Sequence, residues 1–99
     1  MIAVFNSTPN YTSDATIKKW FALGPFPLEN LINFGYIEVD YRHKEHFTLG
    51  KGKQYQGQHN NFDEKNKHGL GRQEYEGGDI YEGEYVNGLK SGYGRYIWN

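Results

Sequence analysis

The sequence predicts an α+β chain: a short helical N-terminal arm followed by an antiparallel meander of β-hairpins. Three observations carry this. Nine Tyr, six Phe and two Trp accompany thirteen Gly among 99 residues, a composition that suits pleated strands and tight turns. Helical periodicity is confined to residues 12–34, which Gly and Pro punctuate and end. An internal repeat fills much of the C-terminal half.

In the arm, Ser13 is a candidate N-cap for a helix with Ile17, Trp20 and Phe21 on one face, stopped by Gly24 and Pro25. Pro27 is placed to open a shorter helix with Leu28, Leu31 and Ile32 on one face, ended by Gly35. Both are short enough to be marginal alone, so each needs a surface to pack on. They serve either as a cover for an open face or end of the β part, or as a docking arm.

Residues 36–41 alternate as a half-buried strand, with Ile37, Val39 and Tyr41 inward and Glu38 and Asp40 outward. A charged stretch from Arg42 to Lys53 follows and reads as a linker. The chain is thus divided into a helical arm (1–35), a strand and charged linker (36–54), and two repeat units (55–80 and 81–99).

The repeat is explicit. Gly69-Leu70-Gly71-Arg72 returns as Gly92-Tyr93-Gly94-Arg95, and Tyr55-Gln56-Gly57-Gln58 returns as Tyr81-Glu82-Gly83-Glu84. The first unit carries extra residues in its loop, between 59 and 67, where a repeat tolerates insertion. In the second unit, alternation places Tyr81, Gly83 and Tyr85 on one face and Glu82, Glu84 and Val86 on the other. Asn87-Gly88 is the favoured two-residue hairpin turn, since both residues accept positive φ. The return strand, 92–98, places Gly92, Gly94, Tyr96 and Trp98 on one face. Glycine in a strand needs a reason, and space for rings of a neighbouring hairpin is the one expected here. Gly77-Gly78 turns the chain between units.

Tyr81-Glu82-Gly83-Glu84-Tyr85-Val86-Asn87-Gly88 followed by Gly92-Tyr93-Gly94 resembles the MORN repeat (membrane occupation and recognition nexus). Residues 55–80 resemble it more loosely: Gln73 and Glu74 stand where the second unit has Tyr96 and Ile97. The resemblance implies a non-catalytic scaffold or adaptor, a small subunit of a large cytoskeletal, ciliary or organellar assembly. Its interaction surface would be Tyr81, Gly83, Tyr85, Gly92, Tyr93, Gly94, Tyr96 and Trp98. The family also suggests a second reading, association with acidic phospholipid through Lys51, Lys53, Lys65, Lys67 and Arg72. A third is a regulatory fragment of an enzyme, because such repeats accompany lipid kinases and a methyltransferase. The array stops at the end of a strand, which points to a longer protein or to completion by a partner or second copy.

Several function classes find no support in the residues. Cysteine is absent, so no disulfide or thiolate metal site exists. His43, His46, His59 and His68 lack metal-ligand spacing and read as solvated loop residues. Glu38 and Asp40 read as the solvent side of a strand rather than a catalytic pair. Gly50-Lys51-Gly52-Lys53 lacks the spacing of a phosphate-binding loop. No cofactor is expected. Residues 42–72 hold seven Lys/Arg against three acids, and residues 73–99 five acids against two bases. That asymmetry permits a lipid-facing strip. A net charge of −1 gives no surplus attraction for nucleic acid. Met1 to Phe5 is too short for a signal-peptide core, and no apolar run approaches the roughly 20 residues of a membrane span. An intracellular, cytoplasmic or cytoskeletal setting is therefore expected.

Overall fold

A computed structural model describes residues 8–9, 12–24, 26, 42–50, 53–59 and 66–99, with the backbone alone for 42–50 and 53. The order is helix α1 (Asp14–Leu23), then strands β1 (Arg42–Gly50), β2 (Lys53–His59), β3 (Lys67–Glu74), β4 (Ile80–Val86) and β5 (Leu89–Ile97). The strands form one antiparallel meander in the order β1-β2-β3-β4-β5. The α+β class holds. The expected second helix and the strand at 36–41 lie outside the described residues.

The helix begins where its cap was read. The Ser13 hydroxyl accepts from the Thr16 amide at 3.1 Å, and the Gly24 amide closes the far end on the Trp20 carbonyl at 3.0 Å. Its inward face differs from expectation. Thr16 and Trp20 are buried, whereas Phe21 is 62% exposed. Positions four apart share a face, and polar Thr16 earns its place by bonding the Gly78 carbonyl at 2.6 Å.

Residues 42–50 are not a linker but a strand. β1 pairs along β2, with Arg42 opposite His59 and Phe47 opposite Tyr55. Backbone pairing makes no demand on side-chain charge, and charged residues suit a strand at a sheet edge. The four histidines accordingly lie in strands rather than loops: His43 and His46 in β1, His59 in β2, His68 in β3. His59 is buried.

The β4–β5 connection is the two-residue turn that Asn87-Gly88 specifies, with φ of 49° and 86°. The return strand therefore begins at Leu89 rather than at 92. Across the sheet the registers align Gly57, Gly71, Gly83 and Gly94 into one row that crosses four strands. The adjacent row is Gln56, Arg72, Glu82 and Arg95, and the next is Tyr55, Gln73, Tyr81 and Tyr96.

Adjacent residues of a strand face opposite ways, so the sheet buries two different surfaces. On one, Trp20 of α1 packs with Ile80 and Ile97. On the other, Tyr55, Tyr81 and Tyr85 cluster, flanked by Tyr75 and Tyr96.

Candidate functional site

The tyrosine face is built by the glycine row. An added Cβ on Gly94 would lie 2.2 Å from the Tyr81 hydroxyl, and one on Gly71 2.1 Å from the Tyr55 hydroxyl. Each ring lies over a glycine of its own hairpin, not of a neighbouring one. The Tyr81 hydroxyl donates to the Glu84 carbonyl at 3.2 Å and that of Tyr55 to the Gln58 carbonyl at 2.6 Å. The two units share a further device: the Glu84 carboxylate accepts from the Tyr93 amide and the Gln58 side-chain carbonyl from the Leu70 amide, both at 2.7 Å. These bonds hold the backbone where the β2–β3 and β4–β5 ladders slip register.

Rings contact edge-on, with centroids 5.4 Å apart for Tyr55–Tyr85 and for Tyr81–Tyr85, the arrangement their quadrupoles favour. Burial pushes the Tyr55 and Tyr85 hydroxyls far above their ordinary pKa. Tyr81 and Tyr96 are raised too, by burial first and then by Glu84 and Asp79 respectively.

The opposite face centres on Glu82, fully buried. Its carboxylate accepts from Arg72 at 2.7 Å, from Arg95 at 2.8 Å and from the Trp20 indole at 3.0 Å. A second Arg95 nitrogen reaches the Gly24 carbonyl at 2.6 Å. Charge on β3, β4 and β5 thus holds α1 across the sheet. At the helix start, Thr12 and Thr16 bond the Gly78 carbonyl and Ser13 bonds Asn99.

The residues singled out as an interaction surface divide accordingly. Tyr81, Gly83 and Tyr85 are buried and form packing; Tyr93 and Tyr96 are half-buried; Gly92, Gly94 and Trp98 are exposed. Tyr93 contacts Phe26 edge-on at 5.4 Å, beside the helix. Tyr96 meets Trp98 at 4.2 Å.

The lipid-contact set does not assemble among the described residues. Arg72 belongs to the helix-covered face and is 1% exposed; that part of the lipid reading is corrected, because the Glu82 carboxylate holds the guanidinium inside. Lys67 lies on the tyrosine face, its ammonium 3.0 Å from the Gln73 side-chain carbonyl and 4.9 Å from the Tyr85 ring centroid. The side chains of Lys51, Lys53 and Lys65 lie outside the described residues.

Two features were not anticipated from the sequence. Lys90, on the tyrosine face, points over three rings. In addition, a shallow apolar groove of about 370 Å³ runs beside β5, lined by Lys19, Ala22, Leu23, Tyr96, Ile97 and Trp98.

Residues 81–99 match the family model of the MORN repeat. This supports a repeat module of the kind associated with membrane or protein interaction, in a family that is generally non-catalytic. No curated protein and no solved structure matches the chain.

Proposed function

We propose that the MORN repeat of residues 81–99 works here as part of a non-catalytic scaffold module that binds an extended segment of a protein partner along β5. The observation that carries this is the contrast between the two sheet edges. Among the described residues β1 and β5 are the outer strands; the β1 sequence opens Arg42-His43-Lys44-Glu45, the charged composition that blunts an edge. β5 is less densely charged, carrying Lys90 and Arg95 among nine residues, and Leu89 is 73% exposed and Trp98, just beyond the strand, 66% exposed. A strand added at this edge would gain main-chain hydrogen bonds and set alternate side chains into the groove between α1 and β5. The shared ring-over-glycine geometry supports reading 55–80 as a second, diverged unit, so the module would be two hairpins stiffened by one helix. A place in a larger intracellular assembly, cytoskeletal or ciliary, fits such a module. Acidic phospholipid is the less favoured partner, since Arg72 is committed to Glu82.

Hydrogen exchange on the isolated chain at low concentration tests the reading. Rapid exchange of alternate β5 amides, slowed when a partner is added, is the expected result. Uniform protection along 89–97 without partner would mean that the edge is already covered and would end the proposal.

A further inference from the structure

The Lys90 side chain is held in an unusual way. Its ammonium lies 5.1 Å from the Tyr75 ring centroid, 5.3 Å from Tyr81 and 5.2 Å from Tyr96. Three rings from three segments, the β3–β4 turn and strands β4 and β5, converge on one cation. Their positions are fixed by structure already described. Tyr81 is seated over Gly94, Tyr96 rests against Trp98, and Tyr75 lies 5.7 Å from Tyr96. The Tyr75 amide is itself tied to the Asp79 carbonyl at 2.9 Å. The Asp79 carboxylate accepts from the Tyr96 hydroxyl at 3.4 Å, which adds negative charge at the rim. Electron-rich ring faces beside a carboxylate attract a cation.

We propose that Tyr75, Tyr81 and Tyr96 form a binding site for a methylated lysine side chain of a partner polypeptide, with Lys90 as its resident, displaceable occupant. Two observations select this ligand. The group seated on the rings is itself a lysine ammonium, so the three rings already accept that head group. Lys90 is also an exposed residue, able to swing into water. A cleft of about 490 Å³ opens on the Tyr75 side of the site, lined by Lys67, Gln73, Tyr75, Tyr85, Leu89 and Lys90 among others, and offers room for an incoming stem to approach past Tyr75. Methylation spreads the ammonium charge and weakens its hydration, so a methylated lysine gives up less water than Lys90 on reaching the rings. Aromatic sites bind such ions on this principle. The site shares Tyr96 with the groove beside β5, but Tyr75 and Tyr81 lie outside that groove, so Tyr75→Leu tests it separately from strand addition at β5.

The test uses the full chain and N-acetyl-trimethyllysine amide as probe, followed by NMR. The ring currents of the tyrosines should shift the N-methyl protons upfield, and Lys90→Gln should tighten binding roughly fivefold, the scale of one exposed cation–π contact. The unmethylated amide should bind more weakly, as should the neutral isostere with carbon in place of the ammonium nitrogen. Tyr75→Leu should abolish binding while the far-ultraviolet spectrum is kept; Tyr96→Leu is the second variant should the first not fold. Equal binding of the neutral isostere would show a merely apolar cleft and overturn the proposal. Absence of any methyl shift in wild type and Lys90→Gln, or unchanged binding by a folded ring variant, would also overturn it. Choline binding as tightly as the lysine probe would overturn the lysine assignment in favour of a choline headgroup.

Discussion

The Tyr81 hydroxyl occupies the space that a side chain on Gly94 would need, 2.2 Å from the position of its Cβ. Glycine at 94 is therefore part of the packing of Tyr81, and the pairing of the two residues defines the hairpin. The Tyr55–Gly71 pair repeats it at 2.1 Å.

Gly94→Val should destabilise the chain by about 1–3 kcal/mol or more, the range of overpacking in a filled site. Relief requires Tyr81 to leave its ring contacts and its bond to the Glu84 carbonyl. Thermal melts of Gly94→Val and Gly71→Val measure this in both units. A Gly77→Val control should fall well below either, since nothing lies within 4 Å of a Cβ there.

Replacing Glu82 by Leu should be the most damaging change on the helix-covered face. It removes the counter-charge shared by Arg72 and Arg95 and the acceptor for Trp20. Breaking one side of a buried ion pair costs about 3–5 kcal/mol. Denaturant unfolding monitored by Trp fluorescence reads both the loss of stability and the release of Trp20. An effect under 1 kcal/mol would mean that the network behaves as though it were solvated.

Glu84 sets up a pH-dependent comparison with its counterpart Gln58. Burial raises its carboxyl pKa, opposed by the bond from the Tyr93 amide. A carboxyl raised by folding supports stability at low pH and withdraws that support as pH rises through its folded pKa. Glu84→Gln keeps an acceptor for the Tyr93 amide and lacks the charge. Its melting temperature should therefore exceed wild type at neutral pH, and the gap should close below the ordinary carboxylate range. A gap that widens on acidification would reverse the sign and exclude burial as the cause.

How much of this was legible follows from where the information sits. Ser13, Asn87-Gly88 and the Tyr–Gly alternation act locally, so the helix start, the hairpin turn and the two faces of β4 could be read from neighbours in sequence. The repeat alone could have paired Gln58 with Glu84, because they stand at equivalent positions. Glu82 was harder: alternation put it on the face opposite Tyr81, and an exposed carboxylate was the natural reading. Only the register that sets Arg72, Glu82 and Arg95 in a row, together with Trp20 from 62 residues away, makes that face a buried one. β1 was missed because its run of charged residues lacks the apolar alternation by which a strand is read. Thr16 rather than Phe21 faces inward with Trp20, where its hydroxyl bonds the Gly78 carbonyl of the β3–β4 turn, a contact that helical periodicity cannot reveal.

The alkaline limit of the fold should coincide with the tyrosine face. Tyr55 and Tyr85 have hydroxyls raised far above the ordinary value of about 10, chiefly by burial. Folding therefore favours their neutral forms, and stability present below that ordinary value is lost as pH rises beyond it. Spectrophotometric titration should show Tyr55 and Tyr85 ionising only together with loss of the circular dichroism signal. Complete, reversible ionisation of all nine tyrosines in a folded chain would contradict the buried cluster.

The β5 edge can be tested without disturbing the core. Leu89 and Trp98 are exposed in the isolated chain, so Leu89→Lys and Trp98→Ala should shift the melting temperature by no more than about 4 °C, as surface changes do in a domain of this size. Both remove what a partner strand would use. Leu89→Lys adds charge to the edge, the common way of blocking further pairing. Trp98→Ala deletes an aromatic of the kind that dominates interface energy, where a single truncation can cost about 2 kcal/mol, roughly thirtyfold in affinity. Sedimentation velocity over a concentration series, with and without the natural partner, should show association weakened by either change and most by the two together. If neither alters association while Lys90→Gln or Tyr75→Leu does, the tyrosine face rather than the strand edge is the contact surface.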